Sequence, residues 1–274
     1  MRFADLHLHT HHSDGVRTPA EIIREAERHH LEIVAISDHD NLIAFREAEQ
    51  EAADRSILLI PAVELSADYR GVDVHLLGYA FDPDDEAIHA DLERFREDRK
   101  DRGLKIVQRL IELGYRITEG RVRELCGGGA MGRPHVARAL VEAGEVASVD
   151  EAFDRLLSPG RPGFIPKERL SATRAIAIIH EAGGLVSVAH PTLYPNHRLI
   201  VEEILDLGAD GIEIFHPDVD PDSMTFYDAL ARHRGAIVTG GSDDHGFENR
   251  QSIGTVRVPE DRIRPILDLI ERRA

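Results

Sequence analysis

Asp5-Leu6-His7-Leu8-His9-Thr10, with Ser13-Asp14-Gly15 close behind, follows a short apolar start. In an extended segment, residues two apart point to one face, so His7 and His9 can offer their imidazoles to a single metal ion. The same chemistry returns in Ser37-Asp38-His39-Asp40, in Val63-Glu64-Leu65, in His75, in Ala189-His190-Pro191 and in Gly241-Ser242-Asp243-Asp244-His245. Each occurrence closes an apolar run. Ligand-type residues scattered along the chain, yet always at the C-terminal end of a strand, are what a barrel with one polar mouth produces. The pattern therefore predicts a single buried polynuclear metal centre.

A chain of 274 residues is long enough for one large domain, or for a barrel carrying an inserted subdomain. Its formal net charge of −17 leaves no basic face with which to coat duplex DNA. A small anionic substrate must then be attracted locally, by bound cations and nearby guanidinium groups. Cys126 is the single cysteine, which rules out an internal disulfide and thiolate-rich metal sites and leaves imidazole and carboxylate as ligands. No stretch approaches the roughly 18 apolar residues of a membrane span, and the chain enters a strand directly without a leader. A cytoplasmic protein is expected, with no membrane partner.

Residues 2–9 alternate as a strand, and Thr18-Pro19-Ala20-Glu21 starts a helix that runs to about residue 30. Strands follow at 31–36, 57–63 and 72–79, with a helix from Asn41 to about residue 54 between the first two. Past Asp82-Pro83-Asp84 the chain turns charged and helical, over 86–113, 134–143 and 149–157. Strands resume at 185–189, 211–215 and 236–240, alternating with helices at 171–182, 198–207 and 222–232, and 253–258 reads as a final edge strand. This rhythm predicts an α/β fold: a distorted (β/α)7 TIM-like barrel of residues 1–80 and 167–274, with a mostly helical inserted lid over 81–166. The alternative is that those helices complete the outer ring of the barrel.

Outside the metal pattern, the glycine-rich stretch Gly127-Gly128-Gly129-Ala130-Met131-Gly132-Arg133-Pro134-His135 feeds a helix whose N-terminus can hold an anion. Arg133 and His135 are the phosphate-binding candidates. In Gly211-Ile212-Glu213-Ile214-Phe215-His216-Pro217, His216 ends a strand and can face the substrate or act as a general acid. Lys167 is either a surface lysine or a further cation near the phosphate. His75 lacks a sharp motif, so a core histidine is its alternative reading, and Asp38 and Asp40 read as supports or caps rather than ligands.

The elements D-L-H-x-H-T, S-D-H-D, A-H-P and G-S-D-x-H resemble the PHP (polymerase and histidinol phosphatase) superfamily over nearly the whole chain. That resemblance implies a distorted seven-stranded barrel with three divalent ions, Mn²⁺ first, with Zn²⁺ or Fe²⁺ as alternatives. It implies His7, His9, Glu64 and Asp243 around one ion, Glu64 bridging to a second held by His75 and His190, and Asp14, His39 and His245 around the third. In such a centre the ions acidify a shared water, and the resulting hydroxide attacks phosphorus in line. The size, the insert and the G-I-E-x-x-H-P element resemble those of 3′,5′-nucleoside bisphosphate phosphatases, which convert pAp to AMP; the G-R-P-H element is similar to one in a subgroup of the family and implies that Arg133 and His135 help hold substrate phosphate. Histidinol phosphatase, 5′-to-3′ exonuclease action on short RNA and a non-catalytic metal-binding module are the rivals. Two departures from the subgroup lie near the substrate: Asp244 stands where an aromatic is expected, and Asp218-Val219-Asp220 lacks a further histidine.

Overall fold

The structure, a computed structural model, describes residues 2–126, 131–166, 170–247 and 252–273. Its strands are β1 (Phe3–Asp5), β2 (Ile33–Ile36), β3 (Leu58–Tyr69), β4 (Val72–Tyr79), β5 (Leu185–Val188), β6 (Gly211–Phe215), β7 (Ile237–Gly240) and β8 (Val258–Pro259). They form one sheet in the order β7-β6-β5-β4-β3-β2-β1-β8. The ends meet: Leu6 N–H donates to Gly240 O at 3.1 Å, Asp243 N–H to His7 O at 2.9 Å and His9 N–H to Asp244 O at 3.0 Å. These bonds nearly close the sheet into a barrel.

The helices that cover it start where the sequence supplies caps. In α1 (Pro19–Arg28), Thr18 and Glu21 form a capping box with proline at the first turn, and α2 (Ile43–Asp54) follows β2. The insert supplies α3 (Glu86–Glu112), α4 (Glu119–Cys126), α5 (Arg133–Glu142) and α6 (Val149–Ala152), the last continued by a π-helical turn over Phe153–Leu157. Ser171 caps α7 (Ala172–Glu181), α8 (His197–Asp206) follows β5, and Asp220 caps α9 (Pro221–Arg234), which stops at Gly235 in the left-handed conformation. The last helix is α10 (Arg264–Glu271). Among the described residues no helix is long and apolar enough to cross a membrane.

Several boundaries differ from the sequence reading, each for a physical reason. The regular part of the first strand ends at Asp5, because residues 6–9 leave the ladder to meet residues 240–244. β3 is longer than expected and turns through Arg70 and Gly71, both at positive φ, into an antiparallel hairpin with β4. β4 is antiparallel to β5 as well, so the βα alternation fails there. The expected edge strand over 253–258 shortens to the two residues of β8, which pair antiparallel with β1 and make the sheet eight-stranded. Helix α4, with Gly120 in its first turn, is an element that the sequence reading does not contain.

The insert has an apolar core of its own, built from residues between Ile106 and Leu157, including Leu110, Val122, Val136 and Leu140. The first half of α3 packs instead into the barrel core through Ile88, Leu92 and Phe95. Between the two halves, half-buried Arg99 reaches back to the barrel, donating from Nε to Asp40 Oδ2 at 2.9 Å and from Nη2 to Ser66 Oγ at 3.0 Å. One rigid helix thus ties the insert to the barrel mouth.

Gly241 makes the closure possible. A Cβ there would stand 2.4 Å from both the backbone nitrogen and the Cβ of His7. Gly241→Ala is expected to lower stability by at least about 1–3 kcal/mol, the cost of overpacking, read as a reduced Tm and urea midpoint. An unchanged Tm would contradict the tight closure.

Candidate active site

All nine residues singled out as metal ligands converge at the mouth of the barrel. His7 and His9 flank Leu8, which bridges to Asp244; Glu64 lies in β3, His75 in β4, His190 just after β5, and Asp243 and His245 beyond β7. His190 and Asp243 have φ of 25° and 52°, backbone strain of the kind that tertiary structure sustains at functional sites.

Four donor atoms form a compact set. His7 Nε2 lies 3.1 Å from His9 Nε2, 3.3 Å from Glu64 Oε2 and 3.3 Å from Asp243 Oδ1. His9 Nε2 lies 3.1 Å from Glu64 Oε2 and 3.2 Å from Asp243 Oδ1. Ligands held tetrahedrally about 2.0–2.1 Å from one centre stand about 3.3–3.4 Å apart, so these spacings suit a single divalent ion. The other oxygen of Glu64 serves a second set, with His75 Nδ1 at 2.7 Å and His190 Nε2 at 3.2 Å. On the opposite flank, His245 Nε2 lies 3.2 Å from Asp14 Oδ1, while His39 Nε2 is 3.7 Å from Asp14 Oδ2. Asp14 Oδ1 and His39 Nδ1 are buried without a hydrogen-bond partner, which water or protein would normally provide and which a cation would satisfy.

The electrostatics of this cluster pull in opposite directions. Burial drives His39 down to about 3, although Glu64 and Asp14 favour its charge. His9 also suffers burial, yet hydrogen bonds to Asp243 and Glu64 push it up to about 10. Glu64 and Asp243 resist the upward push of burial and stay well below the usual carboxylate range, because imidazoles surround them.

Supports surround the cluster. Asp38, fully enclosed, accepts from Thr10 N–H at 2.7 Å and from the hydroxyls of Thr10 and Ser13, and so fixes the loop that carries Asp14. Asp5, pushed up to about 6 by burial against its hydrogen bonds to Ser242, anchors the loop that carries Asp243. Tyr194 accepts from His75 N–H at 3.0 Å and donates to Ala189 O at 2.7 Å. Asp244 is buried in an ion pair with Arg17 and accepts from Gly246 N–H at 3.0 Å, so the unexpected acid beside the last ligand is structural.

Glu213 was missed by the sequence reading, although a charged residue in the middle of the apolar strand β6 was a visible signal. Its Oε1 lies 3.0 Å from His7 Nδ1 and its Oε2 accepts from His190 N–H at 2.6 Å. An ionised carboxylate only accepts, so His7 carries its proton on Nδ1 and leaves Nε2 free for the cluster.

The cluster opens to a cavity of about 880 Å³, whose lining also includes Arg99, Arg102, Arg133, Arg138, Phe153 and Phe247. Arg133, on α5, is held by Asp73 at 3.1 Å. Burial depresses Arg102 to about 10, with the charge of Arg133 adding to the effect. Two expectations are corrected here. His135 does not line the cavity: it is buried, its Nδ1 accepts from Gly132 N–H at 3.1 Å and its ring contacts the Ser13 backbone. His216 is buried behind Asp243, 3.8 Å from its Oδ2, rather than on the cavity wall, and its Nδ1 accepts from Asp218 N–H at 3.1 Å. Lys167 and Gly127 to Ala130 lie outside the described residues.

The profile of the PHP domain family matches residues 5–157. A 3′,5′-nucleoside bisphosphate phosphatase of Chromobacterium violaceum is 32% identical over 100% of this chain and 98% of its own length. The 5′-3′ exoribonuclease Rnm of Salmonella typhimurium is 33% identical over 88% of this chain and 84% of its own. A solved structure from Bifidobacterium adolescentis, assigned as a metal-dependent phosphoesterase, aligns with a TM-score of 0.88 at 30% identity, covering 97% of this chain and 96% of that one.

Removing Glu213 would strand two buried donors at once. Glu213→Ala is expected to cost about 2–5 kcal/mol of unfolding free energy, and Glu213→Gln, which keeps one acceptor, less. Equal stability of the two variants in urea titrations would contradict this account.

Proposed function

The chain belongs to the PHP domain family and is a metal-dependent phosphoesterase, and from that premise we propose that it removes the 3′-phosphate from nucleoside 3′,5′-bisphosphates, turning pAp into AMP. The observation that carries this reading is one cavity of about 880 Å³ that is lined both by seven residues of the ligand cluster, Glu64, His190 and Asp243 among them, and by Arg102 and Arg133. A substrate with two phosphates satisfies both sets. The relative from Chromobacterium violaceum, matched over its whole length, supports the same substrate class.

His7, His9, Glu64 and Asp243 would hold one ion, Glu64 with His75 and His190 a second, and Asp14, His39 and His245 a third. Mn²⁺ is the proposed metal, since imidazole with carboxylate suits Mn²⁺, Fe²⁺ or Zn²⁺ alike and the family resemblance favours manganese. When bound, such ions acidify water and neutralise charge on the non-bridging phosphate oxygens. Glu64 contributes one oxygen to each of two sites and so fixes their separation. Glu213 and Tyr194 orient the imidazoles, and Asp38 and Asp5 hold the two acidic loops. Arg133, set on its Asp73 partner, orients the second phosphate. His135 stabilises the turn that presents Arg133. His216, protonated on Nε2 because Nδ1 accepts a backbone N–H, steadies Asp243. Residues 81–166 act as a lid subdomain over the barrel, and the single buried Cys126 fits a reducing cytoplasm.

Short 5′-phosphorylated RNA is the second reading, favoured by the similarity to the exoribonuclease. Phosphate release from pAp, AMP, 3′-AMP, histidinol phosphate and a 5′-phosphorylated oligoribonucleotide, with Mn²⁺-loaded protein, separates the readings. The highest kcat/KM is expected for pAp, with AMP as product; preference for RNA or histidinol phosphate would overturn the substrate assignment.

Arg133→Ala is expected to raise KM for the bisphosphate about 10- to 150-fold, the worth of a charge-assisted hydrogen bond, and to change KM for an aryl phosphate far less. Equal effects on both would remove Arg133 from the second phosphate. Glu64→Gln is expected to lower the metal content per chain by two ions in elemental analysis; full occupancy would refute its bridging role.

A further inference from the structure

Resting on the nucleotide reading above, we propose that Phe247 and Arg138 form a stacking platform for the nucleobase. A nucleoside bisphosphate has three parts that need a seat. The ligand cluster and Arg133 account for its two phosphates, which leaves the flat, uncharged ring system. The cavity wall carries two phenylalanines, each beneath a guanidinium from α5: Arg133 over Phe153 at 5.6 Å and Arg138 over Phe247 at 5.7 Å.

The two pairs are not equivalent. Arg133 is committed to Asp73, whereas Arg138 makes no ion pair among the described residues, although the chain carries 50 acidic residues. An arginine that lines such a cavity without a close carboxylate contact offers a planar cation suited to π faces. Phe247 lies two residues past His245, its ring within 15° of that imidazole and 6.3 Å from it. It therefore sits on the metal side of the cavity while its contact with Arg138 joins the barrel loop to the insert. Rings stack on phenylalanine and guanidinium planes without regard to hydrogen-bonding pattern, so this seat recognises a base as such.

The test compares adenosine 3′,5′-bisphosphate with ribose 3,5-bisphosphate, which lacks the base, on Mn²⁺-loaded full-length protein, by kcat/KM and by equilibrium binding. Wild type is expected to prefer the base-bearing compound by about 5- to 150-fold, the fold-change that ~1–3 kcal/mol of base stacking represents. Phe247→Ala should collapse that preference toward one, Phe247→Tyr should keep it, and Arg138→Ala should reduce it. Circular dichroism and Tm establish that each variant is folded, and Phe247→Leu separates lost aromaticity from lost bulk. A preference retained in Phe247→Ala, or a wild type indifferent to the base, overturns the platform and leaves the two-phosphate reading standing. Failure of wild type to cleave either compound overturns that reading and the platform with it.

Discussion

Glu64 is the constraint on which the rest of the site depends. It is buried among His7, His9, His39, His75 and His190, with one oxygen toward each of two imidazole sets. A carboxylate in that position is costly to enclose unless its charge is met from several sides. Each loop that delivers one of those imidazoles must therefore arrive within a few ångströms of the same point, and much of the surrounding architecture serves that arrival. Gly241 lets the β7 end approach His7, Asp38 and Asp5 pin the loops of Asp14 and Asp243, and Glu213 holds His7 and the His190 backbone from behind.

These supports are themselves buried acids, so the barrel mouth concentrates negative charge in a chain already at −17. Divalent cations bound there would offset that charge and make the barrel mouth able to receive a phosphate.

The insert complements this with guanidinium groups. Arg99 is spent on Asp40 and Ser66, tying α3 to the barrel, while Arg102, Arg133 and Arg138 border the cavity. The second half of α3 shares an apolar core with α4, α5 and α6, and that core positions α5 at the cavity. The two kinds of group divide along the chain: the clustered imidazoles and carboxylates come from residues 7–75 and 190–245, and the guanidinium groups of Arg99, Arg102, Arg133 and Arg138 from between them.

The sequence by itself marked the nine imidazole and carboxylate residues that converge at the barrel mouth, because each stands at or near the end of an apolar run, and it determined the α/β barrel, because strand length and helix caps are local properties. It could not determine which neighbours of those ligands face the cavity. His135 and Arg133 are two residues apart at the start of one helix, yet one turns inward to the Gly132 N–H and the other toward Asp73 and the cavity, a choice made by the packing of α5. His216 reads as a substrate-facing group or general acid at a strand end, but its Nδ1 accepts from Asp218 N–H and its ring lies behind Asp243. The β3–β4 hairpin, the displaced end of the first strand and the role of Glu213 likewise depend on contacts between residues far apart in sequence. Spacing encodes which face of an element a side chain occupies; only the assembled barrel decides what stands opposite that face.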